Sequence, residues 1–357
     1  MRLPLVPLLI GLLHAYVAVR LLAPFEPWAW VAGGAALAAN FALMPKGWSA
    51  RQDRWVLARW TAMGLFSWAI LLTLARDLVL LAFPAWRIPS ALAVIAAIPL
   101  VTAIGYFLAR RVAPVVNVKI PVAGLPPALH GFTIAQLSDI HVGPTIKRAF
   151  VQAMVDRVNG LDADVVAITG DLVDGSVARL AHDTAPLAAL RSRHGTYIVT
   201  GNHEYYSGAH GWIRELRRLG AHVLLNEHVV LDHDGARVTI AGVTDYSAHH
   251  FDAGHRSDPA GALAGSPRDA VKVLLAHQPR SALAAAPEGY HLQLSGHTHG
   301  GQFWPWNFFV RLQQPFTAGL ERVGRMWLYI SRGTGYWGPP MRFGIPSEIT
   351  RITLVPE

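Results

Sequence analysis

Hydrophobic positions divide the chain into two parts with different patterns. In the first 111 residues, four apolar runs of roughly bilayer-spanning length are separated by short polar gaps. The runs cover residues 3–23, 28–44, 55–83 and 88–109. Tryptophans cluster near their ends, as interfacial anchors do. A soluble helical domain would need a polar face that these runs lack. The pattern therefore predicts an all-α bundle of about four transmembrane helices over residues 1–111.

The pattern changes after a Pro-rich stretch, residues 112–131, which we interpret as a linker. Beyond it, short apolar runs predict strands at 132–137, 165–169, 196–200, 237–243, 271–276, 291–295, 326–331 and 349–355. Helical periodicity marks residues 149–159, 184–192 and 211–219. This alternation of strands and helices predicts a layered α/β domain over residues 132–357.

The distribution of charged residues predicts a membrane topology. The net charge is +8, and ten basic but only three acidic side chains lie in the first 111 residues. Lys and Arg occur at Arg2, in the loop with Lys46, Arg51 and Arg54, and at Arg110–Arg111. With four spans, these three sites lie on one side of the membrane. Because cytoplasmic loops are enriched in Lys and Arg, we expect a multi-pass membrane protein with its C-terminal domain in the cytoplasm. Three or five spans would place that domain outside.

The same charge distribution argues against a nucleic-acid partner, which would normally require basic charge on the folded domain that reads it. The first run has no small-x-small cleavage site and is followed by further apolar runs, so we expect an uncleaved span. The chain has no cysteine, which excludes disulfides and thiolate chemistry.

Polar side chains follow five of the predicted strands. They are Asp139 and His141, Asp171 and Asp174, Asn202 and His203, His277, and His297 and His299. The carboxyl ends of strands are where α/β sheets assemble their sites. A lone histidine in such a place is commonly structural, but the repeated placement favours a metal centre. Nitrogen and oxygen ligands of this kind suit Mn, Fe or Zn, and a carboxylate can bridge two ions.

The ordered motifs D-x-H, G-D-x-x-D, G-N-H-E, a lone H and G-H-x-H, from about residue 138 to 300, resemble those of the calcineurin-like metallophosphoesterases. The flanks "GLPPALHGFTIAQLSDIHVG" and "GYWGPPMRFGIPSEITRITL" are similar to a bacterial membrane-associated branch of that superfamily. This branch includes phosphodiesterases and enzymes that cleave lipid-linked pyrophosphates. The resemblance implies a four-layer α/β/β/α sandwich.

The resemblance also implies a role for each polar side chain. One divalent ion is held by Asp139, His141 and His299, and a second by Asn202, His277 and His297. Asp171 bridges the two ions, for which Mn is expected and Fe or Zn are alternatives. His203 acts as acid or phosphate contact, and Asp174 holds its imidazole in one tautomer. The reaction implied is attack of a metal-activated hydroxide on a phosphoric ester.

One departure from the superfamily bears on the substrate. Its protein Ser/Thr phosphatases have Arg-Gly after G-D-x-x-D, whereas this chain reads "GDLVDGS". The missing arginine disfavours a phosphoprotein and favours a phosphodiester or pyrophosphate, which we expect to be lipid-linked. A phosphodiesterase for soluble nucleotides with a membrane anchor is the alternative. An inactive membrane sensor or scaffold is disfavoured because every expected ligand type is present. The sequence does not indicate the oligomeric state.

Three further features keep two interpretations each. In "TDYSAHHFDAGHR", residues 244–256, Asp245, His249, His250 and His255 either contact substrate or belong to a solvated loop. Tyr205 and Tyr206 either line the site or pack. The aromatic residues in 303–309 either pack on the domain or form an exposed apolar lip beside Arg311 that meets the bilayer.

Overall fold

The computed structural model describes residues 5–43 and 53–357. The chain divides into two units: one takes in Met1–Leu108 with Gly338–Phe343, and the other takes in Ala109–Trp337 with Gly344–Glu357. Arg2, Lys46 and Arg51, three of the basic residues used above for the topology prediction, lie outside the described residues.

The first unit is helical. Its helices are α1 (Leu5–Leu22), α2 (Pro27–Leu43), α3 (Asp53–Ala82) and α4 (Arg87–Arg110). Among the described residues, three stretches are long and apolar enough to cross a membrane: Leu5–Leu22, Asp53–Ala82 and Pro84–Arg110. The helical region is thus confirmed, with three candidate spans rather than four, because α2 has only 17 described residues. Many large apolar side chains of these helices are exposed, as on a surface that faces lipid.

A group of charged side chains inside the helical unit is paired. Asp77 of α3 accepts hydrogen bonds from Arg20 Nε at 2.8 Å and from the Tyr16 hydroxyl at 2.7 Å. The neighbouring Arg76 is buried and donates to the backbone carbonyls of Arg20 and Arg87. These partners reduce the cost of placing charged groups in an apolar environment.

The second unit contains two six-stranded sheets. In chain order, the strands are β1 (Val115–Val122), β2 (Thr133–Leu137), β3 (Val165–Ile168), β4 (Thr196–Ile198), β5 (His222–Val223), β6 (Glu227–His233), β7 (Ala236–Gly242), β8 (Val271–Leu275), β9 (Leu292–Ser295), β10 (Gly319–Val323), β11 (Met326–Ile330) and β12 (Ile349–Pro356). The sheet orders are β1-β12-β2-β3-β4-β5 and β10-β11-β9-β8-β7-β6. Pairs β2–β3, β3–β4, β7–β8 and β8–β9 are parallel, so their carboxyl ends lie at one edge of each sheet.

Six helices cover these sheets: α5 (Arg148–Asn159), α6 (Val177–Thr184), α7 (Asn202–Ser207), α8 (Ala209–Arg218), α9 (Pro259–Leu263) and α10 (Ala282–Ala285). Apolar residues of both sheets, such as Ile134 and Leu294, form a core between them. A second core joins the first sheet to helices α5, α6 and α8, and a third joins the second sheet to α9 and α10. The predicted four-layer α/β/β/α sandwich is confirmed.

Two local predictions differ from the structure. Val115–Val122, assigned to the linker, forms β1, which pairs in parallel with β12 from Val115↔Ile349 onward. The helix predicted at 184–192 is displaced: α6 ends at Thr184, and a 3₁₀ turn, Ala185–Ala189, follows. Pro186 explains the break, because proline has no N–H to donate and clashes with the carbonyl four residues before it.

Candidate metal centre

The loops after five strands bring the predicted ligands together. Three groups of His and Asp side chains in this part of the second unit have ligand atoms within 4.8 Å of one another. They are Asp139–His141–His299, His141–Asp171–His203 and Asp171–His277–His297. Since the groups share His141 and Asp171, they form one continuous candidate metal centre, called the metal centre below, at the carboxyl ends of β2, β3, β4, β8 and β9.

The first group surrounds a space of ionic size. His141 Nε2 lies 3.1 Å from His299 Nε2, and His299 Nε2 lies 3.5 Å from Asp139 Oδ1. Ser138 Oγ donates to Asp139 Oδ2 at 2.6 Å and fixes that carboxylate. Ligands bound at about 2.0–2.2 Å from one ion are separated by similar distances. Two buried imidazole nitrogens facing each other across one carboxylate are therefore well placed to bind a cation.

The group of Asp171, His277 and His297, with the neighbouring Asn202, gives the most direct indication that a cation fits here. His277 Nε2 lies 3.2 Å from Asp171 Oδ2 and 3.1 Å from His297 Nδ1. His277 Nδ1 is 2.8 Å from the Thr169 carbonyl, to which it must donate, so in the neutral ring Nε2 carries the lone pair that a metal would bind. Asn202 Oδ1 is buried and has no hydrogen-bond partner among the described residues. A desolvated amide oxygen without a donor is costly, and a divalent ion would supply its partner.

Asp171 lies between the two groups. Its Oδ2 is 3.2 Å from His277 Nε2 and 3.9 Å from His141 Nε2, while its Oδ1 accepts the His203 backbone N–H at 2.9 Å. One carboxylate thus reaches a histidine of each group, as a bridging ligand must. The donor set of imidazoles, carboxylates and one amide fits two divalent cations.

Backbone strain is concentrated at the same residues. Asp139, His141, Asp171, His297 and His299 have φ values of 52°, 54°, 51°, 71° and 51°. These are five of the nine non-glycine residues with positive φ in the described chain. Side chains disfavour this left-handed region, and such residues persist where the surrounding structure enforces them, commonly at functional sites.

Two glycines allow the strained loops to approach closely. A Cβ atom on Gly296 would overlap Ser138 Oγ and Asp139 Oδ2, and one on Gly201 would overlap the Asp171 carboxylate. Any side chain at either position would displace a predicted ligand.

Glu204 binds the backbone of the loops that carry the predicted ligands, although no role for it was predicted from the sequence. Its buried carboxylate accepts four backbone N–H groups: Asp171 at 3.0 Å, Leu172 at 2.7 Å, Val173 at 3.2 Å and Gly201 at 2.7 Å. Burial and the Asp171 charge raise the pKa of Glu204 to about 7, while these amides act in the opposite direction. The sequence did contain a signal for this role. Glu204 lies three residues after Gly201, the N-cap of α7, and an acidic residue at that position is typical of a capping box.

His203 and His141 share one carboxylate. Asp174 Oδ1 is 2.5 Å from His203 Nδ1 and 3.1 Å from His141 Nδ1, so it orients two imidazoles. Burial disfavours the charged ring of His203, but Asp171 and Asp174 outweigh it and raise the pKa of His203 to about 9. Burial also raises the pKa of Asp174, and the two histidines outweigh it and lower that pKa to about 2. The protein groups alone therefore favour a protonated His203. Bound cations would have the opposite effect and lower the pKa of His203.

Aromatic rings flank His203. Its ring centroid is 5.1 Å from that of Tyr206 and 5.6 Å from that of Trp337. The Gln302 side-chain amide holds Trp337 by two hydrogen bonds of 2.8 Å to the backbone N–H and carbonyl. Neither Trp337 nor Gln302 was predicted, because their contacts join distant parts of the chain.

Residues 244–256 lie outside the three groups. Asp245 is buried and accepts from Ser247 and Gln278, so its carboxylate is held by neighbouring protein groups. The rings of His249 and His250 contact each other in a short turn, at a centroid distance of 4.0 Å and an interplanar angle of 42°. His255 Nδ1 contacts the hydroxyl of the buried Tyr205 at 2.8 Å.

The two-sheet fold and the histidines and aspartates at its strand ends are typical of metal-dependent phosphoesterases. The family model for the calcineurin-like phosphoesterases matches residues 132–301. A metallophosphoesterase of Aquifex aeolicus is 34% identical over 226 residues, which cover 62% of this chain and 84% of that protein. The chain therefore belongs to the calcineurin-like metallophosphoesterases.

Other relatives include membrane proteins. A Bos taurus protein named transmembrane protein with metallophosphoesterase domain is 43% identical over 264 residues, covering 70% of this chain and 59% of the relative. A metallophosphoesterase of Helicobacter pylori is 40% identical over 231 residues, covering 63% of this chain and 60% of the relative. The chain thus spans about three fifths of the length of these relatives.

Proposed function

We propose that the chain is a membrane-spanning, dinuclear metal phosphoesterase that hydrolyses a phosphodiester or pyrophosphate bond of a lipid-linked substrate. The observation that carries the lipid part is a set of exposed aromatic residues directly after the metal centre. The proposal places the protein in a bacterial inner membrane with the second unit in the cytoplasm.

In this proposal, Asp139, His141 and His299 hold one divalent ion, Asn202, His277 and His297 hold the other, and Asp171 bridges them. Bound ions supply a nucleophile at neutral pH and neutralise charge on the phosphoryl oxygens. Mn²⁺ is the first choice, with Fe or Zn as alternatives.

His203 would then protonate the leaving oxygen. Its Nδ1–H donates to Asp174 at 2.5 Å, which leaves Nε2, 3.8 Å from Asp171 Oδ2, directed toward the metal centre. A ring held in this way delivers a proton from a fixed atom, and Asp174 stabilises the charge that the ring carries before transfer. His203 is therefore a catalytic residue in the proposal, and Asp174 is a positioning residue.

The apolar lip consists of exposed side chains in the segment after His299. Its members are Trp304, Trp306, Phe308, Phe309 and Leu312, which are between 41% and 83% exposed. Phe303 is buried and anchors the segment to the domain. Packing thus accounts for the first aromatic residue of the stretch and leaves the others facing solvent. Contiguous exposed apolar groups of this kind are typical of surfaces that meet a membrane or an apolar ligand.

A cavity of about 480 Å³ connects the lip with the residue that follows His299. It is lined by apolar, neutral polar and cationic residues: Gly300, Asn307, Phe308, Arg311, Thr317, Ala318, Arg332 and Ile345. Arg332 Nε donates to the fully buried Glu348 at 2.7 Å, which holds the guanidinium group in place. Guanidinium groups suit phosphate oxygens, and the rings suit a hydrocarbon chain, so the lining supports an amphiphilic phosphate ester.

The test is the double substitution Trp304→Ser with Trp306→Ser. Wild type and variant are purified in detergent with Mn²⁺ and assayed on a lipid-linked pyrophosphate in mixed micelles and on a small soluble diester. Each apolar side chain that contacts lipid is worth about 1.5–3 kcal/mol, so kcat/KM for the lipid should fall about tenfold or more. Turnover of the soluble diester should stay unchanged.

The matched control is Val230→Ser with Leu283→Ser, which removes two exposed apolar side chains on β6 and α10. It should leave both activities unchanged. Equal loss on both substrates, or a lower melting temperature, would mean that the lip residues are structural. Wild-type activity on nucleotides without activity on the lipid would favour the membrane-anchored nucleotide phosphodiesterase.

A further inference from the structure

A second cluster of ligand-type side chains lies outside the metal centre. His210, Asp252 and His255 have ligand atoms within 4.8 Å of one another. His210 Nε2 is 3.0 Å from Asp252 Oδ2, and His255 Nε2 is 3.9 Å from the same oxygen. His210 belongs to α8, whereas the other two residues lie in the loop after β7, so the cluster joins distant segments.

The spacing fits one bound ion. Ligand atoms of a tetrahedral zinc site, with bonds of about 2.0–2.1 Å, lie about 3.3–3.4 Å apart. The two distances to Asp252 Oδ2 lie on either side of that value. Asp252 Oδ1 accepts the Gly254 backbone N–H at 2.9 Å, which turns Oδ2 toward the two histidines. The carboxylate is thus held in a ligating orientation by its own loop.

His255 is oriented by a buried partner. Its Nδ1 is 2.8 Å from the Tyr205 hydroxyl, and that hydroxyl is 3.3 Å from Thr200 Oγ1. Metal-binding histidines characteristically use the second ring nitrogen for an outer hydrogen bond of this kind, which fixes the ring. The contact leaves Nε2 of His255 directed at Asp252.

An ordinary surface ion pair would be a simpler explanation of this cluster, but it accounts for fewer of its contacts. A protonated His210 beside Asp252 would suffice for one contact, and such exposed pairs contribute little to stability. It gives no reason for a second imidazole, fixed by Tyr205, to point at the same carboxylate oxygen. One cation between the three groups accounts for both contacts.

We propose that His210, Asp252 and His255 bind a third divalent ion, best matched by Zn²⁺, separate from the metal centre. Two imidazoles and a carboxylate are a common zinc set, and exposed His210 leaves room for water in the fourth position. The ion ties the loop after β7 to α8. Through the Phe251–Tyr206 and Tyr206–His203 ring contacts, at centroid distances of 5.5 Å and 5.1 Å, the tied loop adjoins the proposed acid.

The test counts bound zinc in the purified full chain. Wild type, His210→Ala and a control, His250→Ala, are equilibrated with excess Zn²⁺, freed of loosely bound metal and analysed by mass spectrometry for zinc. Wild type and His250→Ala should hold one equivalent more than His210→Ala. This difference does not depend on how many ions the metal centre holds, so failure here is distinct from failure of the proposed function.

Backbone hydrogen exchange supplies the second measurement. Zn²⁺ should slow exchange in residues 246–256 of the wild type and leave it unchanged in His210→Ala. Equal zinc content in wild type and His210→Ala would overturn the proposal. So would an equal loss in His250→Ala, or exchange in wild type that does not respond to Zn²⁺.

Discussion

Replacing Glu204 by Gln tests whether the metal centre depends on a carboxylate that the ions do not contact. Glu204 Oε1 accepts the N–H groups of Leu172 and Val173, and Oε2 accepts those of Asp171 and Gly201. Glutamine retains one oxygen, so in either orientation two buried N–H groups face an NH₂ group. Each unsatisfied buried donor costs about 1–3 kcal/mol, which predicts a loss of about 2–6 kcal/mol.

The assay is thermal unfolding of the full chain in detergent, followed by tryptophan fluorescence, together with metal content. For a domain of 150–250 residues, 1 kcal/mol shifts the melting temperature by about 2–4 °C, so Glu204→Gln should lower it by about 4–24 °C. Metal content should fall as well, because the Asp171 and Gly201 backbones lose their common anchor.

Glu227→Gln is the matched control. Its carboxylate is half exposed and accepts one backbone N–H, from Leu225 at 3.2 Å, so the same chemical change should cost less than about 0.5 kcal/mol. If both variants had the melting temperature and the metal content of the wild type, the role assigned to Glu204 would be wrong.

Three further predictions concern catalysis, ligand geometry and topology. His203→Ala should reduce turnover about 10²–10⁴-fold with metal content unchanged; loss of metal would instead make His203 a ligand. Gly296→Ala should remove about one metal equivalent, because its Cβ would occupy the space of Asp139 Oδ2; full metal content measured by mass spectrometry would contradict this close approach. An alkaline phosphatase fused after Glu357 should be inactive, and strong activity would mean an odd number of spans or an inverted set.

The sequence predicted those parts of the fold whose signal is local. All eight predicted strands are present within two residues at most of their bounds, because each is a buried apolar run. The strands that were missed, β1, β5, β6 and β10, are short or partly exposed, so they lack the buried apolar run that marks the others. β6 and β10 pair with the strands that follow them directly, whereas β1 pairs with a distant segment. β1 is the clearest example, since its partner β12 lies at the other end of the chain.

The candidate site also contains residues that the sequence predicted and residues that it did not. The predicted ligands follow strands directly, so strand periodicity and the motifs were enough to place them at one edge. Trp337 and Gln302 meet near His203 only through tertiary contacts. Asp174 was assigned one imidazole and contacts two, which only the folded loops could reveal. The cluster at His210 was not foreseen, because His210 and Asp252 lie about 40 residues apart in the sequence.

The most direct test of the central claim, a phosphoesterase centre of two ions joined by Asp171, is a comparison of wild type with Asp171→Asn. Bound Mn²⁺ and turnover of a diester and of a lipid-linked pyrophosphate are measured on the same detergent-purified samples. Our account predicts that the variant loses close to two equivalents of Mn²⁺ relative to wild type and has no detectable turnover. A variant that kept both ions and near-normal turnover would contradict it.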